Sequence, residues 1–152
     1  MIENDENKIY IKNEIGTFVL NREYSEFEIK IKWNDMDANV HLKTDQENGE
    51  TAENSMKVLR ELLKDTAYYD MKFRRYAAQE LRELTKIWMY EPDDINARAL
   101  SEEEFIMNMK INDIDIRSRG NLILYYSDNG MFAGHSIIVD VYENGNFSRA
   151  YF

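Results

Sequence analysis

Apolar residues change their spacing twice along this chain. From Glu26 to Trp33, Phe27, Ile29, Ile31 and Trp33 alternate with Glu26, Glu28, Lys30 and Lys32. That period of two gives a pleated strand one core face and one wet face. Met36, Ala38, Val40 and Leu42 repeat the pattern against Asp37, Asn39, His41 and Lys43, with Asn34-Asp35 between them as a turn, so an antiparallel hairpin is predicted. Lys8–Lys12 and Thr17–Leu20 read as two shorter strands around Gly16. From Thr51 the spacing becomes helical, with Ala52, Met56, Leu59, Leu62 and Leu63 on one side. Tyr69, Phe73, Tyr76, Ala77, Leu84 and Trp88 then form the stripe of a longer helix that runs to about Tyr90 and stops before Pro92. Ser101 and Glu104 make a capping box ahead of Phe105, Ile106 and Met109. Period two returns in Ile111–Ser118, Asn121–Ser127, Met131–Tyr142 and Asn146–Tyr151, with Asn129-Gly130 and Asn144-Gly145 expected as primed two-residue hairpin turns. Strands, then helices, then strands describe an α+β fold: a mostly antiparallel sheet from both ends of the chain, with two to three central helices packed on one face.

The length of 152 residues and the 43% apolar content suit one core, and no Gly/Ser/Pro-rich linker divides the chain, so residues 1–152 are read as a single domain. The net charge of −10 argues against phosphate backbones and anionic membranes as partners, so neither nucleic acid nor membrane is expected. This charge is unevenly placed. Residues 1–50 hold 12 acids and 6 bases, residues 51–100 hold 9 of each, and residues 101–152 hold 8 and 4. The absence of cysteine excludes disulfides, thiolate nucleophiles and Cys-based metal sites, and fits a reducing cytoplasm. Met1-Ile2-Glu3-Asn4-Asp5-Glu6 carries acid where a signal peptide carries base.

His135 in Gly134-His135-Ser136 is the most tempting chemical candidate. A hydrolase reading, in which imidazole deprotonates the adjacent serine, is opposed by strand geometry, because neighbours point to opposite faces, and by the lack of a Gly-x-Ser-x-Gly elbow. His135 is expected to share a core face with Ile137, Val139 and Val141, so that His135→Ala costs stability; lining a pocket is the alternative. His41 falls on the polar face of its strand and is read as solvated surface, and two histidines do not make a His-rich metal site. Asp35/Asp37 and Asp113/Asp115 are each spaced to share a strand face, which suits Mg²⁺ or Ca²⁺, yet no Gly-containing calcium loop accompanies them and they are read as solvated. The aromatic stripe of the second helix is core, and one of Tyr125 and Tyr126 must face away from it. Neither Gly-rich phosphate-binding motif occurs. No catalytic residue, metal or cofactor is expected.

The chain resembles a bacterial family of uncharacterised domains. The resemblance spans roughly Gly16 to Val139 and rests on Gly16-Thr17-Phe18, the Phe27…Trp33 strand, Leu59-Arg60, Tyr69-Asp70, Tyr76-Ala77-Ala78-Gln79-Glu80-Leu81, Leu100-Ser101-Glu102-Glu103-Glu104-Phe105 and Asp128…Gly134-His135-Ser136-Ile137. This chain departs from the pattern at Ala133, where an aromatic often stands, and at Ser25-Glu26, where a tryptophan often begins the strand. The resemblance implies the fold and carries no reaction, cofactor or site.

Three functional readings fit these features. The first is a non-catalytic binding protein, most specifically an immunity-type protein that neutralises a basic protein toxin; Glu26, Glu28, Asp113, Asp115 and Tyr125 are its expected contacts. The second is a small-molecule-binding or sensing domain with His135 in its pocket. The third is an enzyme, for which no nucleophile, base and oxyanion arrangement is apparent.

Overall fold

Each alternating segment supplies a strand to one sheet, the Met131–Tyr142 segment only from Ile137 onward. In the computed structural model, which describes residues 8–152, eight strands lie side by side in chain order: β1 (Tyr10–Lys12), β2 (Thr17–Asn21), β3 (Glu26–Trp33), β4 (Met36–Lys43), β5 (Lys110–Ile116), β6 (Leu122–Ser127), β7 (Ile137–Val141) and β8 (Phe147–Tyr151). Met1–Glu6 lie outside the described residues. Every neighbouring pair is antiparallel except β4 with β5, where Val40 pairs with Ile114 and His41 with Asp115 in parallel. A parallel pair needs a long crossover. Here the crossover is the whole helical middle: α1 (Glu53–Leu63), α2 (Thr66–Leu81), a 3₁₀ turn (Arg82–Leu84), α3 (Thr85–Trp88) and α4 (Glu102–Asn108). Among the described residues no helix is long and apolar enough to cross a membrane.

The helices pack on the face to which Phe27, Val40, Ile114, Leu124 and Val139 point, and these residues share one buried cluster with Leu59, Phe73 and Phe105. The β3–β4 hairpin has Trp33 opposite Met36, with Asn34 and Asp35 both at positive φ, as a primed two-residue turn requires. The two later turns differ from expectation. After β7, the Gly145 N–H reaches the Tyr142 carbonyl and the Tyr142 N–H reaches Asn146, so this loop is longer than two residues and its register shifts at Asp140/Val141. Asn129-Gly130 opens a loop that lasts to Ser136 instead of closing a hairpin.

The long second helix is also broken. The 3₁₀ turn tightens the winding at Arg82–Leu84, which rotates the succeeding turn about the axis. Leu84 and Trp88 therefore leave the core stripe and are exposed. Thr85 is buried in their place, donating to the Arg82 carbonyl at 2.6 Å and accepting the Leu100 N–H at 2.9 Å.

The capping box at α4 forms as the Ser101/Glu104 spacing predicts. Arg98 grips the Glu104 carboxylate with Nη1 at 2.9 Å and Nη2 at 3.1 Å. The Arg98 bonds, helped by the Ser101 N–H, lower the Glu104 carboxyl from 4.5 to about 2. A carboxyl depressed in the folded state contributes stability that is present above its unfolded pKa and lost as pH falls through the folded one, here between 4.5 and about 2. An NMR titration is expected to place the Glu104 midpoint near the lower value. A midpoint near 4.5 would mean that the Arg98 clamp and the box do not hold together in solution.

Candidate functional site

The side chains with chemical potential collect on the other face of the sheet. In β3 the even-numbered residues point away from the helices, so Glu26 and Glu28 stand beside their cross-strand partners Lys43 and His41. The parallel register then brings Asp113 and Asp115 from β5 against Asn39 and His41. Asp113 pairs with Tyr125 across β6. Five residues expected as partner contacts, Glu26, Glu28, Asp113, Asp115 and Tyr125, thus lie on one face around His41.

His41 is the hub. Its Nδ1 lies 2.9 Å from Glu26 Oε1 and 3.6 Å from Glu28 Oε1, and its Nε2 lies 2.9 Å from Asp113 Oδ1. Only 22% of its side chain is exposed, which corrects its reading as solvated surface: flanking strands wall it in. Burial opposes a charge on the ring, but the bond to Asp113 and the charges of Asp115 and Glu26 outweigh it and raise the imidazole above its ordinary 6.5. With a proton on each nitrogen, the ring donates to carboxylates on both sides.

Glu26 is buried, which removes it from the set of exposed contacts and makes it a support. Lys43 Nζ lies 3.2 Å from its Oε2 and also donates to the Tyr24 carbonyl at 2.7 Å. Burial acts to raise the Glu26 carboxyl, but bonding with Glu28, Lys43 and His41 outweighs it and holds the group below the ordinary carboxylate value. Asp115 moves the other way, pushed up by burial and by the Glu26 and Asp113 charges against the pull of His41. Asn21 Nδ2 donates to Glu28 Oε1 at 3.1 Å. Beside the cluster, Ile123, Tyr125, Ile138 and Tyr151 form a half-exposed apolar stripe across β6 to β8. Burial, then Asp115, holds the Tyr125 phenol above its ordinary 10, so it is a neutral hydrogen-bonding group.

His135 belongs elsewhere. It is exposed and precedes β7 instead of alternating with Ile137, Val139 and Val141, so the burial behind the expected cost of His135→Ala is absent. The cause is Asp128, whose carboxylate holds the N–H groups of Gly130, Phe132 and Gly134 and keeps the chain in a loop until Ile137. His135 Nδ1 lies 2.5 Å from the Phe132 carbonyl. Its ring meets Trp88 and Phe152 edge-on at centroid distances of 5.6 and 6.0 Å. Asp35 and Asp37 do not act together either, since Asp35 lies in the turn and Asp37 pairs with Lys32 at 2.7 Å.

Sequence reasoning missed the hub role of His41, although a signal was present. The hairpin register set by Trp33 and Met36 already places His41 opposite Glu28 and Lys43 opposite Glu26. The contact with Asp113, 72 residues away, carried no local signal.

Comparison with known proteins supplies a family and no activity. The family described as "Uncharacterized protein conserved in bacteria (DUF2262)" matches residues 12–152. No curated protein and no solved structure matches the chain.

Proposed function

Starting from the membership of this chain in the DUF2262 family of uncharacterized proteins conserved in bacteria, we propose that it is a non-catalytic binding protein that captures a basic protein on the helix-free face of its sheet. A basic toxin is the partner that suits it best, which makes the chain an immunity-type protein. The observation that supports this most is the gathering of Glu28, Asp113 and Asp115 beside the Tyr125 stripe. An apolar, aromatic centre next to a cluster in which carboxylates outnumber the cations His41 and Lys43 is the composition of a steered interface: the stripe supplies contact area and the excess acids supply the on-rate.

The test is association with the product of the adjacent reading frame, followed by stopped flow. Raising salt from about 0.05 M to about 0.5 M shrinks the Debye length to a few Å, and the association rate is expected to fall by roughly tenfold or more. Asp113→Lys with Asp115→Lys should slow it similarly, and Arg75→Glu on the helical side should leave it unchanged. A rate indifferent to salt, or one that responds only to Arg75→Glu, overturns this reading.

A further inference from the structure

We propose that Glu26, Glu28 and His41 form a binding site for one Zn²⁺ ion, with Asp113 as the group that orients the imidazole. Donors held about 2.0–2.1 Å from a tetrahedral zinc lie roughly 3.3 Å from one another. His41 Nδ1 sits 2.9 Å from Glu26 Oε1 and 3.6 Å from Glu28 Oε1, on either side of that spacing. The three residues come from adjacent strands, with Glu28 directly opposite His41, so the donors stand on a rigid ladder and not on a loop.

The surroundings follow the logic of a metal's outer shell. A ligating histidine ordinarily donates its second ring N–H to a carboxylate, which fixes the tautomer and aims the free lone pair at the metal. Asp113, from the far side of the parallel pair, occupies that position at 2.9 Å from Nε2. Lys43 engages Oε2 of Glu26 and leaves Oε1 facing His41. Asn21 steadies Glu28. A mixed donor set of one imidazole nitrogen and two carboxylate oxygens suits zinc better than the all-oxygen preferences of Mg²⁺ and Ca²⁺. Access exists as well, because Glu28 borders an open cleft of about 460 Å³ with Val19, Asn21 and Arg22. Metal binding exchanges one particle for another: Zn²⁺ takes the Nδ1 lone pair and the Nδ1 proton leaves to solvent. The zinc site shares Glu28 and Asp113 with the partner-capture face but does not rest on that reading, and failure to bind zinc would leave partner capture standing.

Isothermal titration of chelator-treated protein with Zn²⁺ alone is expected to show one site per chain, with Mg²⁺ and Ca²⁺ bound at least 100-fold more weakly. Glu28→Gln and His41→Gln should each abolish that site. Asp113→Asn should weaken it by about 10- to 100-fold, while Asp37→Asn and His135→Ala leave it unchanged. Because His41→Gln can disturb the sheet, Co²⁺ added to the unsubstituted protein gives a second measurement: a four-coordinate visible spectrum accompanied by displacement of the His41 ring resonances. A stoichiometry other than one, equal affinity for Ca²⁺, retention of binding in Glu28→Gln, or Co²⁺ signals that leave His41 unmoved would each overturn the site.

Discussion

Asp70→Ala will destabilise this protein by about 3–5 kcal/mol, the usual cost of removing one partner from a buried charged pair. Asp70 is on α2 with its side chain 9% exposed, and it accepts Arg74 Nε at 2.6 Å and the Tyr126 hydroxyl at 2.8 Å. Arg74 also donates to the carbonyls of Ile106 and Met109 at the end of α4. The Ile106 carbonyl also accepts the Met109 N–H, so Arg74 adds a second bond there and supplies a donor to the Met109 carbonyl just past the helix end. The guanidinium lies 5.1 Å from the Tyr126 ring centroid. One carboxylate therefore holds together α2, the end of α4 and the centre of β6, and its loss leaves a cation and a phenol buried without their acceptor. Burial, reinforced by Asp70, keeps the Tyr126 phenol well above its ordinary value, so the hydroxyl stays a donor. Tyr126→Phe removes one bond and leaves the ion pair, and should cost about 1–2 kcal/mol. The double replacement of Asp70 and Arg74 by leucine should cost less than the two single alanine variants added together, because no unpaired charge remains. Urea unfolding with an unchanged m-value reads all four. A shift under about 1 kcal/mol for Asp70→Ala would contradict the network.

Asp128→Ala should rank next, at about 3 kcal/mol, since a buried N–H left without its acceptor, as that of Phe132 would be, costs about 1–3 kcal/mol, and the half-buried bonds to Gly130 and Gly134 are lost with it. Asp128 Oδ2 accepts Phe132 N at 2.8 Å and Gly134 N at 3.0 Å, and Oδ1 accepts Gly130 N at 3.1 Å. The loop passes through positive φ at Asn129, Gly130, Ala133 and Gly134. Outside glycine that region is disfavoured by roughly 1–2 kcal/mol per residue, so the carboxylate is what offsets it at Asn129 and Ala133. The loop's product is Phe132, fully buried and stacked on Phe152 at 4.0 Å. Trp88 meets both rings edge-on, so its fluorescence should redshift in Asp128→Ala before global unfolding. Asp128→Asn keeps one acceptor oxygen and should fall between the variant and the parent. An Asp128→Ala protein as stable as the parent would mean that the loop is shaped by its glycines alone. The Asp128…Gly134-His135-Ser136-Ile137 segment is thus a device for seating Phe132, with His135 carried outward to the surface.

Local spacing was enough to specify most elements and the face on which each residue falls, because pleat and helix impose periods of 2 and 3.6 that the order of residues records. Glu26 to Trp33 and Met36 to Lys43 are read correctly as a hairpin, with turn and register set by Asn34-Asp35. Capping at Ser101 and Glu104 is equally local. Features that depend on chain segments meeting across the helical crossover had to await the folded arrangement. The polar faces of β4 and β5 are legible separately, but their parallel pairing carries Asp113 and Asp115 to His41, and that pairing is chosen by the packing of all the helices on the opposite face. The same holds for the break at Arg82–Leu84, where the bond from Leu100 to Thr85 outweighs an unbroken helical stripe. It holds again at His135, where three N–H groups turning toward Asp128 end an alternation that local spacing would have continued. In the last two cases a buried polar group, Thr85 or Asp128, found its partner farther along the chain or across a loop, and satisfying it outweighed the local preference, because an unmade hydrogen bond in a dry interior costs more than a shift of phase in a helix or strand.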